Sequence, residues 1–359
     1  MALRLIHIGL GGWGGDWARN AVPRVPTVDR VAIVDADETN LATARAKLQL
    51  GADRCFTDLR SAFERTDADA VLITASVAAH VPLAVQALRA GKHVLVEKPF
   101  APTVAEARQI VDVADEAGRT VMVSQNYRFY PAARAAAGLV AKEYVGPLGL
   151  VRVDFRKWAN AAPVGAHRHY QLVHPLLYDM AIHHFDLMRM VTGQEPVKVF
   201  AQVTDPPWSN FNDPAAATLT ITFDGGTVVS YRGSWVSSGE PTTWSGDWHL
   251  ECEKGEIYWT GRDGPAGATE ADVLSVRHLP GAARAAGVIG GDQVEVLDPV
   301  ALAGVEYVGR AGALAEFARA IAAGDEPESS GRRNLASLAI SEAAARSVVS
   351  GQVELVTLS

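Results

Sequence analysis

The first 125 residues alternate short apolar runs with longer segments of helical character, and this alternation constrains the fold more than any other feature. Each run has four to six residues and is rich in Val and Ile; the runs are 3–8, 31–34, 70–74, 93–96 and 120–123. Continuous apolar runs of this length, separated by helical segments such as 40–50 and 103–117, are typical of buried parallel strands joined by crossover helices. The sequence therefore predicts a doubly wound α/β sheet.

Beyond Gly146 the pattern changes to an alternation of polar and apolar residues, clearest at 218–223. A period of two with a Gly-rich turn, here at 224–226, predicts antiparallel hairpins with one covered face. A helical segment at 175–192, closed by Gly193, precedes the main strand region. Further elements are predicted as helices over 311–323 and 332–350 and as a short strand over 272–278.

The fold class expected from these patterns is α/β with two domains. Residues 1–125 are expected to form the parallel sheet, and residues 126–359 an α+β domain with a large, mainly antiparallel open sheet. The terminal helices can pack back on the first domain. A length of 359 residues supports the division, because single hydrophobic cores stop growing well short of this length.

Composition and charge argue against several classes of partner. Thirty-three basic and 41 acidic residues give a net charge of −8, so the basic surface that nucleic acid needs is missing. No run approaches the roughly 18 apolar residues of a membrane span, and Gly9 interrupts the N-terminal run too early for a secretory signal. Cys55 and Cys252 are too far apart in sequence to suggest a zinc cluster or a disulfide framework. We expect a cytoplasmic protein whose partner is a small molecule.

A glycine-rich turn follows the first predicted strand and contains Gly9, Gly11, Gly12, Trp13 and Gly14. In a strand–turn–helix unit, the first glycine permits the tight turn, the second lets a pyrophosphate approach the backbone, and the third allows close packing. The N-terminus of the following helix favours negative charge. These residues are candidates for binding a dinucleotide; the alternative is that the glycines only make a sharp turn.

Asp35 ends the second predicted strand, where a carboxylate can accept hydrogen bonds from the 2′- and 3′-hydroxyls of a ribose. It lies somewhat further from Gly9 than the usual spacing of about 20 residues. A carboxylate would repel a 2′-phosphate, and no Lys or Arg lies between Asp35 and Arg45. NAD is therefore the expected cofactor, with NADP as the alternative. A structural interpretation remains open, in which Asp35 only caps the next helix.

The apolar run 93–96 is followed directly by Glu97, Lys98 and Pro99. Ligands of open α/β sheets bind just outside the carboxyl ends of the strands. A proline also holds the residue before it out of the helical region, so Lys98 is expected to be extended. Its ammonium could polarise a substrate hydroxyl or the carbonyl that this hydroxyl becomes. The alternative is a solvated Glu–Lys pair at the start of a helix.

Three segments, Gly9–Gly14, Ala90–Pro99 and Gln125–Phe129, together resemble the Gfo/Idh/MocA family, named for glucose-fructose oxidoreductase and inositol dehydrogenase. The resemblance covers essentially the whole chain. It implies a dinucleotide-binding Rossmann domain followed by a substrate-binding domain whose open sheet mediates homodimers or homotetramers. It also implies hydride exchange between NAD(P) and a sugar, cyclitol or related polyol, with Lys98 in the active site.

The resemblance also assigns residues near the cofactor. It implies that Glu97 and Asn126 lie near the nicotinamide ribose and that Arg128 lies near the cleft. The loop from Thr74 to Ser76 would contact the cofactor largely through its backbone. Its sequence differs here from the Ala-Thr-Pro-Asn that is common in relatives.

Asp179, His183 and Asp186 share one narrow polar stripe of the predicted helix, at 100° per residue. A histidine oriented by a carboxylate one turn away is a common general base near neutral pH. The family resemblance also assigns Asp179 and His183 to the active site. The alternative is a core histidine that Asp179 satisfies. At 175–178, where relatives usually have glycines, larger side chains are expected to narrow or reshape the substrate cleft.

Several other residues give weaker signals. A metal set of His167, His169, His174, His183 and His184 is an alternative, but no pair has the helical i, i+4 spacing, and no metal is expected. Arg168, His169 and Tyr170 could bind substrate hydroxyls from a loop, and His184 is expected to pack or bond at the domain interface. The tryptophans expected to cover a sheet face, with sugar stacking as the alternative, are Trp235, Trp244, Trp248 and Trp259.

The sequence thus predicts an NAD(P)-dependent dehydrogenase acting on a CH–OH group of a sugar, cyclitol or related polyol. Lys98 would polarise the reacting oxygen, His183 would exchange its proton, and Asp179 would fix and charge-stabilise the imidazole, because a nicotinamide accepts only the hydride. One alternative is a hydrolase or lyase that retains NAD and cleaves a glycosidic bond through transient oxidation. The other is a non-catalytic dinucleotide-binding regulatory protein.

Overall fold

The structure is a computed structural model that describes residues 2–163, 168–261, 272–279, 298–302 and 304–358. It divides into two compact units. The first unit comprises Met1–Phe129, Glu306–Leu338 and Leu358–Ser359, and the second comprises Tyr130–Val305 and Ala339–Thr357. The first unit therefore includes a segment from near the C-terminus as well as the N-terminal sheet.

A parallel sheet of six strands forms the centre of the first unit, in the order β3-β2-β1-β4-β5-β6. The strands are β1 (Leu3–Ile8), β2 (Val28–Val34), β3 (Cys55–Phe56), β4 (Ala70–Ile73), β5 (His93–Val96) and β6 (Val121–Val123). The order reverses between β1 and β4, which is where doubly wound sheets bind their ligands. The predicted fold class is confirmed. The sequence did not predict β3, because two residues are too few to show a period.

The described α-helices begin and end as follows: α1 (Gly12–Asn20), α2 (Glu38–Leu48), α3 (Leu59–Arg65), α4 (Val77–Arg89), α5 (Val104–Ala117), α6 (Pro131–Ala141), α7 (Ala181–Thr192), α8 (Gly309–Ala323) and α9 (Gly331–Ser350). Local capping explains several of these boundaries. Thr103 accepts a hydrogen bond from the backbone N–H of Glu106 and so begins α5. In the core of the first unit, Leu314 and Phe317 of α8 belong to the same cluster as Leu5 of β1.

The second unit contains a sheet of nine described strands in the order β14-β13-β12-β11-β7-β10-β9-β8-β15. The strands are β7 (Leu148–Arg156), β8 (Pro196–Thr204), β9 (Ala216–Phe223), β10 (Val228–Ser234), β11 (Asp247–Cys252), β12 (Gly255–Thr260), β13 (Val273–His278), β14 (Asp298–Pro299) and β15 (Glu354–Leu355). Neighbouring strands are antiparallel except β7 and β10. Along β9 the buried Leu219 and Ile221 alternate with the exposed Thr218 and Thr220, so the outward face of this strand is polar.

The predicted helix over 175–192 is two elements. A π-helical turn occupies Leu176–Met180, and α7 runs over Ala181–Thr192 and is closed by Gly193, which has a φ of 67°. A uniform 100° per residue therefore does not apply across Asp179, so the exact angles predicted for the polar stripe do not hold in the π-helical turn. Most of the predicted loop region 261–291 lies outside the described residues. Within the described part of the chain, no helix combines the length and apolar character that a bilayer span requires.

Candidate active site

In the glycine turn after β1, two glycines leave no room for a side chain, whereas two others have free space where a Cβ would be. Gly9 has a φ of +86°, and a Cβ on Gly14 would stand 1.8 Å from the Gly9 carbonyl oxygen. A Cβ on Gly11 would meet its nearest neighbour at 3.8 Å, and one on Gly12 would meet nothing within 4 Å. Since Gly12 begins α1, the open positions lie beside the unpaired N–H groups of a helix N-terminus. The turn thus fits the pyrophosphate of a dinucleotide.

Thr74, at the end of β4, holds this turn in place. Its hydroxyl donates to the Gly9 carbonyl oxygen at 2.6 Å, and His7 Nε2 lies 2.9 Å from the Thr74 hydroxyl oxygen. Because burial lowers the pKa of His7 to about 3, its ring is neutral and donates to Thr74. Ser76 is exposed and begins α4 without a side-chain cap. Of these two residues, Thr74 is the one whose side chain stabilises the glycine turn.

Asp35 links the end of β2 to the glycine turn. Its Oδ2 accepts from the Leu10 N–H at 2.5 Å, and its Oδ1 accepts from the Asp37 N–H at 2.9 Å. Asp37 is the cap of α2, accepting from Thr39 at 2.7 Å, so the interpretation of Asp35 as the helix cap is wrong. Each Asp35 oxygen keeps a further lone pair that a ribose hydroxyl could use.

Glu97 and Lys98 follow β5, whose carboxyl end lies at the same sheet edge as that of β1. Glu97 is 5% exposed; Trp17 Nε1 donates to its Oε1 at 2.7 Å, and the Lys98 N–H donates to its Oε2 at 3.1 Å. The interpretation of Glu97 as half of a solvated pair is therefore wrong. Lys98 is half-buried, and Asn126, which begins a short 3-10 helix after β6, is buried.

In the second unit, the Asp179 carboxylate is paired with an imidazole that sequence reasoning did not assign to it. His169 Nδ1 lies 3.4 Å from Asp179 Oδ2. Asp179 sits in the π-helical turn, and His169 in a 3-10 turn at Arg168–Gln171. His183 lies in the first turn of α7 and is buried. The sequence predicts only that residues 168–170 could bind substrate hydroxyls from a loop, with His169 also in the alternative metal set, since no periodicity connects the segment to Asp179.

Aromatic side chains surround His169. Its ring centroid lies 5.1 Å from that of Trp235 and 5.2 Å from that of Phe211, both edge-on. The Trp235 ring is in turn 5.7 Å from the half-buried Trp244, whose face lies 5.2 Å from Lys157 Nζ. Trp235 thus adjoins the Asp179–His169 pair and Trp244 packs behind it, whereas Trp248 and Trp259 stack on each other at 4.9 Å and are fully buried in the core.

The two hydrogen bonds of the His184 ring lie inside the second unit. Its Nε2 lies 3.1 Å from the Trp244 carbonyl oxygen and its Nδ1 lies 3.0 Å from the Tyr231 hydroxyl. Since a carbonyl only accepts, Nε2 donates and the Tyr231 hydroxyl donates to Nδ1. Burial lowers the pKa of His184 to about 4, so the ring stays neutral. The histidine fixes the backbone that carries Trp244.

The loop that carries His169 is clamped by hydrogen bonds. The Tyr170 hydroxyl bonds to the backbone of Ala159 and Ala162, and the Asn210 amide donates to the carbonyls of Asn160 and Ala162 at 3.0 and 2.8 Å. These bonds fix the segment just before and after the residues that the structure does not describe. The predicted metal candidate His167 is among the latter. Among the described residues, no group of three or more His, Cys, Asp or Glu is arranged to hold a metal.

A parallel sheet of order 3-2-1-4-5-6, with a glycine turn after β1 and an acidic residue after β2, defines the class of nicotinamide-dinucleotide-binding proteins. Residues 3–125 match the family model described as "Oxidoreductase family, NAD-binding Rossmann fold". Residues 133–258 match the model described as "GFO/IDH/MocA C-terminal domain". The chain belongs to the Gfo/Idh/MocA family of NAD-binding oxidoreductases.

Similar proteins extend over most of the chain. Protein y4oX of Sinorhizobium fredii is 29% identical over 263 residues, covering 71% of this chain and 72% of its own length. D-apiose dehydrogenase of Paraburkholderia graminis is 27% identical over 351 residues, covering 91% of this chain and 83% of its own length. The crystal structure of aldose-aldose oxidoreductase from Caulobacter crescentus, complexed with glycerol, superposes with a TM-score of 0.81 at 22% identity, covering 99% of this chain and 100% of that one. This last similarity shows a shared fold.

Proposed function

We propose that this oxidoreductase transfers a hydride between NAD and a CH–OH group of a sugar, cyclitol or related polyol. The observation that carries the proposal is the position of Lys98 directly after β5, at the sheet edge where the glycine turn follows β1. An ammonium at that edge is suited to bind the hydroxyl of a substrate next to the cofactor. A bound nicotinamide supplies the acceptor for the hydride.

The residues of the first unit would hold the cofactor and activate the substrate oxygen. Backbone N–H groups at Gly11, Gly12 and Trp13 bind the pyrophosphate, and Asp35 accepts from the adenosine ribose. Around the nicotinamide ribose, the proposed contacts are Glu97, Asn126 and the backbone from Thr74 to Ser76. Lys98 polarises the reacting oxygen, which lowers the pKa of the substrate hydroxyl.

The second unit would supply the proton acceptor. In this proposal His183 takes the hydroxyl proton, and Asp179 stabilises the imidazolium that forms. His169 holds the other side of the Asp179 carboxylate, because its Nδ1 lies 3.4 Å from Oδ2. In this proposal the carboxylate also contacts His183; two partners restrict its rotation, so the ring that it orients keeps one tautomer.

The proposed substrate class follows from the relatives and from the aromatic side chains of the second unit. One relative is named a D-apiose dehydrogenase, and a protein of the same fold was crystallised as an aldose-aldose oxidoreductase with glycerol. The half-buried Trp244, packed against Trp235 with Lys157 Nζ over one face, is an aromatic ring of the kind that packs against sugar C–H groups. We further propose a cytoplasmic location and a homodimer or homotetramer formed through the open sheet.

Turnover assays with the Lys98→Ala variant test the proposal. A screen over inositols, aldoses, sugar acids and amino sugars, followed by NADH absorbance, first identifies a substrate. Lys98→Ala should then lower kcat by about 10³-fold or more while the NADH Kd changes less than about threefold. Lys92→Ala is the matched control, since Lys92 precedes the same strand and bonds to the Ala68 carbonyl. Full kcat in Lys98→Ala would refute the mechanism.

The same assay separates the two alternatives. A dehydrogenase accumulates NADH in proportion to the alcohol consumed. An enzyme that retains NAD and cleaves a glycosidic bond consumes substrate without net NADH. A regulatory protein binds NADH without turning over any polyol.

A further inference from the structure

Arg310, in the first turn of α8, contacts the helix that follows the glycine turn. Its guanidinium carbon lies 4.3 Å from the ring centroid of Trp13 and 5.7 Å from that of Trp17. Its Nη2 is paired with Asp16 Oδ2. All four residues belong to the first unit. An arginine from near the end of the chain thus joins the phosphate turn near its beginning.

The burial of Arg310 is unusual for an arginine. Its side chain is only 9% exposed, and its Nη1 is buried with no hydrogen-bond partner among the described residues. Burying a guanidinium with an unsatisfied donor opposes folding, because its hydration is only partly replaced. Stability alone therefore gives no reason for a guanidinium at this position, where an apolar side chain could pack against two indoles.

Asp16 would be a poor neighbour for a pyrophosphate if it stood alone. It lies one helical turn after Gly12, which is about 6 Å along the helix axis and within the roughly 8–10 Å over which charges interact at physiological salt. Burial alone would raise the pKa of Asp16, but the hydrogen bond and charge of Arg310 lower it below its usual value. The carboxylate is therefore negative; Arg310 is its salt-bridge partner, while the Asn20 amide also donates to it and the charge of Arg19 acts in the same direction.

Trp13 needs support for a different reason. It is the second residue of α1, within the turn whose backbone N–H groups would bind the pyrophosphate, and it is 45% exposed. A planar guanidinium stacked on its ring holds the indole against the helix and restricts its rotamers. The bulky side chain is then kept in one position relative to the phosphate-binding backbone.

We propose that Arg310 is a positioning residue of the cofactor site, which neutralises Asp16 and braces Trp13 so that the first turn of α1 accepts the pyrophosphate of NAD. The proposal rests on the NAD-binding assignment of the first unit and requires no particular substrate. It predicts that α8 contributes to cofactor affinity. Its electrostatic part acts through Asp16, so the two residues should be coupled in binding.

A double-mutant cycle on cofactor binding tests this coupling. NADH is titrated by fluorescence into the wild type, Arg310→Gln, Asp16→Asn and the double variant. Arg310→Gln should raise the NADH Kd about tenfold or more, because it leaves Asp16 charged beside the pyrophosphate. Asp16→Asn should change the Kd less than about threefold, and the double variant should regain most of the lost affinity. Arg319→Gln, a paired arginine on the same helix, should bind NADH as the wild type does.

Two further measurements separate positioning from folding. ADP-ribose should lose affinity in Arg310→Gln as NADH does, whereas adenosine, which has no phosphate, should not. If Arg310→Gln does not fold, Arg310→Lys keeps the charge without the planar stack, and its NADH Kd should lie between the wild-type value and a tenfold increase. An unchanged NADH Kd in Arg310→Gln, or a double variant as weak as Arg310→Gln, would overturn the proposal. A wild-type protein that binds NADH but turns over no polyol would count instead against the proposed function.

Discussion

The two units collect their candidate site residues in different ways. In the first unit, the glycine turn, Asp35 and Lys98 each follow a strand of one parallel sheet directly. In the second unit, Asp179, His169 and the two neighbouring tryptophans come from a π-helical turn, a 3-10 turn and loops. The first set is therefore readable from short stretches of sequence, and the second is not.

The difference follows from how each kind of sheet is built. All strands of a parallel sheet have their carboxyl ends at one edge. Residues that follow those strands therefore lie close together, however the side chains pack. The antiparallel sheet has no such common edge. Its functional neighbours are decided by which loops are clamped together, as Tyr170 and Asn210 clamp the segment around Asn160. Each prediction below tests one side of this contrast.

The largest expected effect is on turnover in the second unit. His183→Ala should lower kcat by about 10²–10⁴-fold, because the substrate proton loses its acceptor. His169→Ala should lower it less and shift the pH–rate profile, since Asp179 keeps its charge but loses a partner at 3.4 Å. Both variants should keep the wild-type NADH Kd. If His169→Ala abolished turnover while His183→Ala kept the wild-type kcat, the proton acceptor would be His169 and not His183.

In the first unit, the glycine turn should tolerate a methyl group at one position and not at another. Gly14→Ala should lower the free energy of unfolding by more than about 3 kcal/mol and remove NADH binding, because the new Cβ would overlap the Gly9 carbonyl oxygen. Gly12→Ala should fold as the wild type does, since its Cβ meets no atom within 4 Å. Urea unfolding and NADH titration measure both. Equal stability of the two variants would contradict the described turn.

The buried His184 should make the second unit sensitive to acid. Burial lowers its pKa to about 4, against about 6.5 in the unfolded chain. Between these values the histidine is protonated in the unfolded chain but neutral in the folded protein. The contribution of His184 to the free energy of unfolding should therefore be fully present above about pH 7. It should fall as the pH drops from 6.5 to 4, by at most about 3 kcal/mol.

His184→Gln should remove that part of the pH dependence. The free energy of unfolding is compared at pH 7.5 and pH 5 for the wild type, His184→Gln and the control His249→Gln, whose ring is half-buried beside Glu256. A pH dependence in His184→Gln as steep as in the wild type would show that His184 is not the group responsible. His7, whose pKa is lowered to about 3, should likewise lower the free energy of unfolding of the first unit at acidic pH.

The smallest expected effect concerns cofactor choice. Asp35→Ser should weaken NAD binding about tenfold, because the ribose loses a charged acceptor, and should weaken NADP binding less, since the repulsion of a 2′-phosphate disappears. Titration of both cofactors into the wild type, Asp35→Ser and Asp35→Asn measures this. Asparagine keeps one acceptor for the Leu10 N–H, which separates ribose contact from support of the turn. An unchanged NAD affinity would remove Asp35 from the ribose role.

Sequence reasoning predicted most elements of the first unit but misplaced several side-chain partners. The strand over 3–8 and the helix after Thr103 were predicted with nearly their observed bounds, because both show clear apolar patterns and the helix also has a local cap. The predicted helix over 175–192 was wrong in its first turns, since nothing in the periodicity of that segment marks a π-helical turn. The angular argument that joined Asp179 to His183 depended on that regularity.

The sequence by itself determined the order of elements in the first unit and the residues that follow its strands. Strand polarity and the backbone conformation of a glycine turn are local properties that nearby residues encode. Only the tertiary structure decided that Trp17 donates to Glu97, that His169 pairs with Asp179, and that Arg310 stacks on Trp13. These contacts join residues far apart in the chain, and they depend on how side chains pack once the elements have met, which no periodic pattern records.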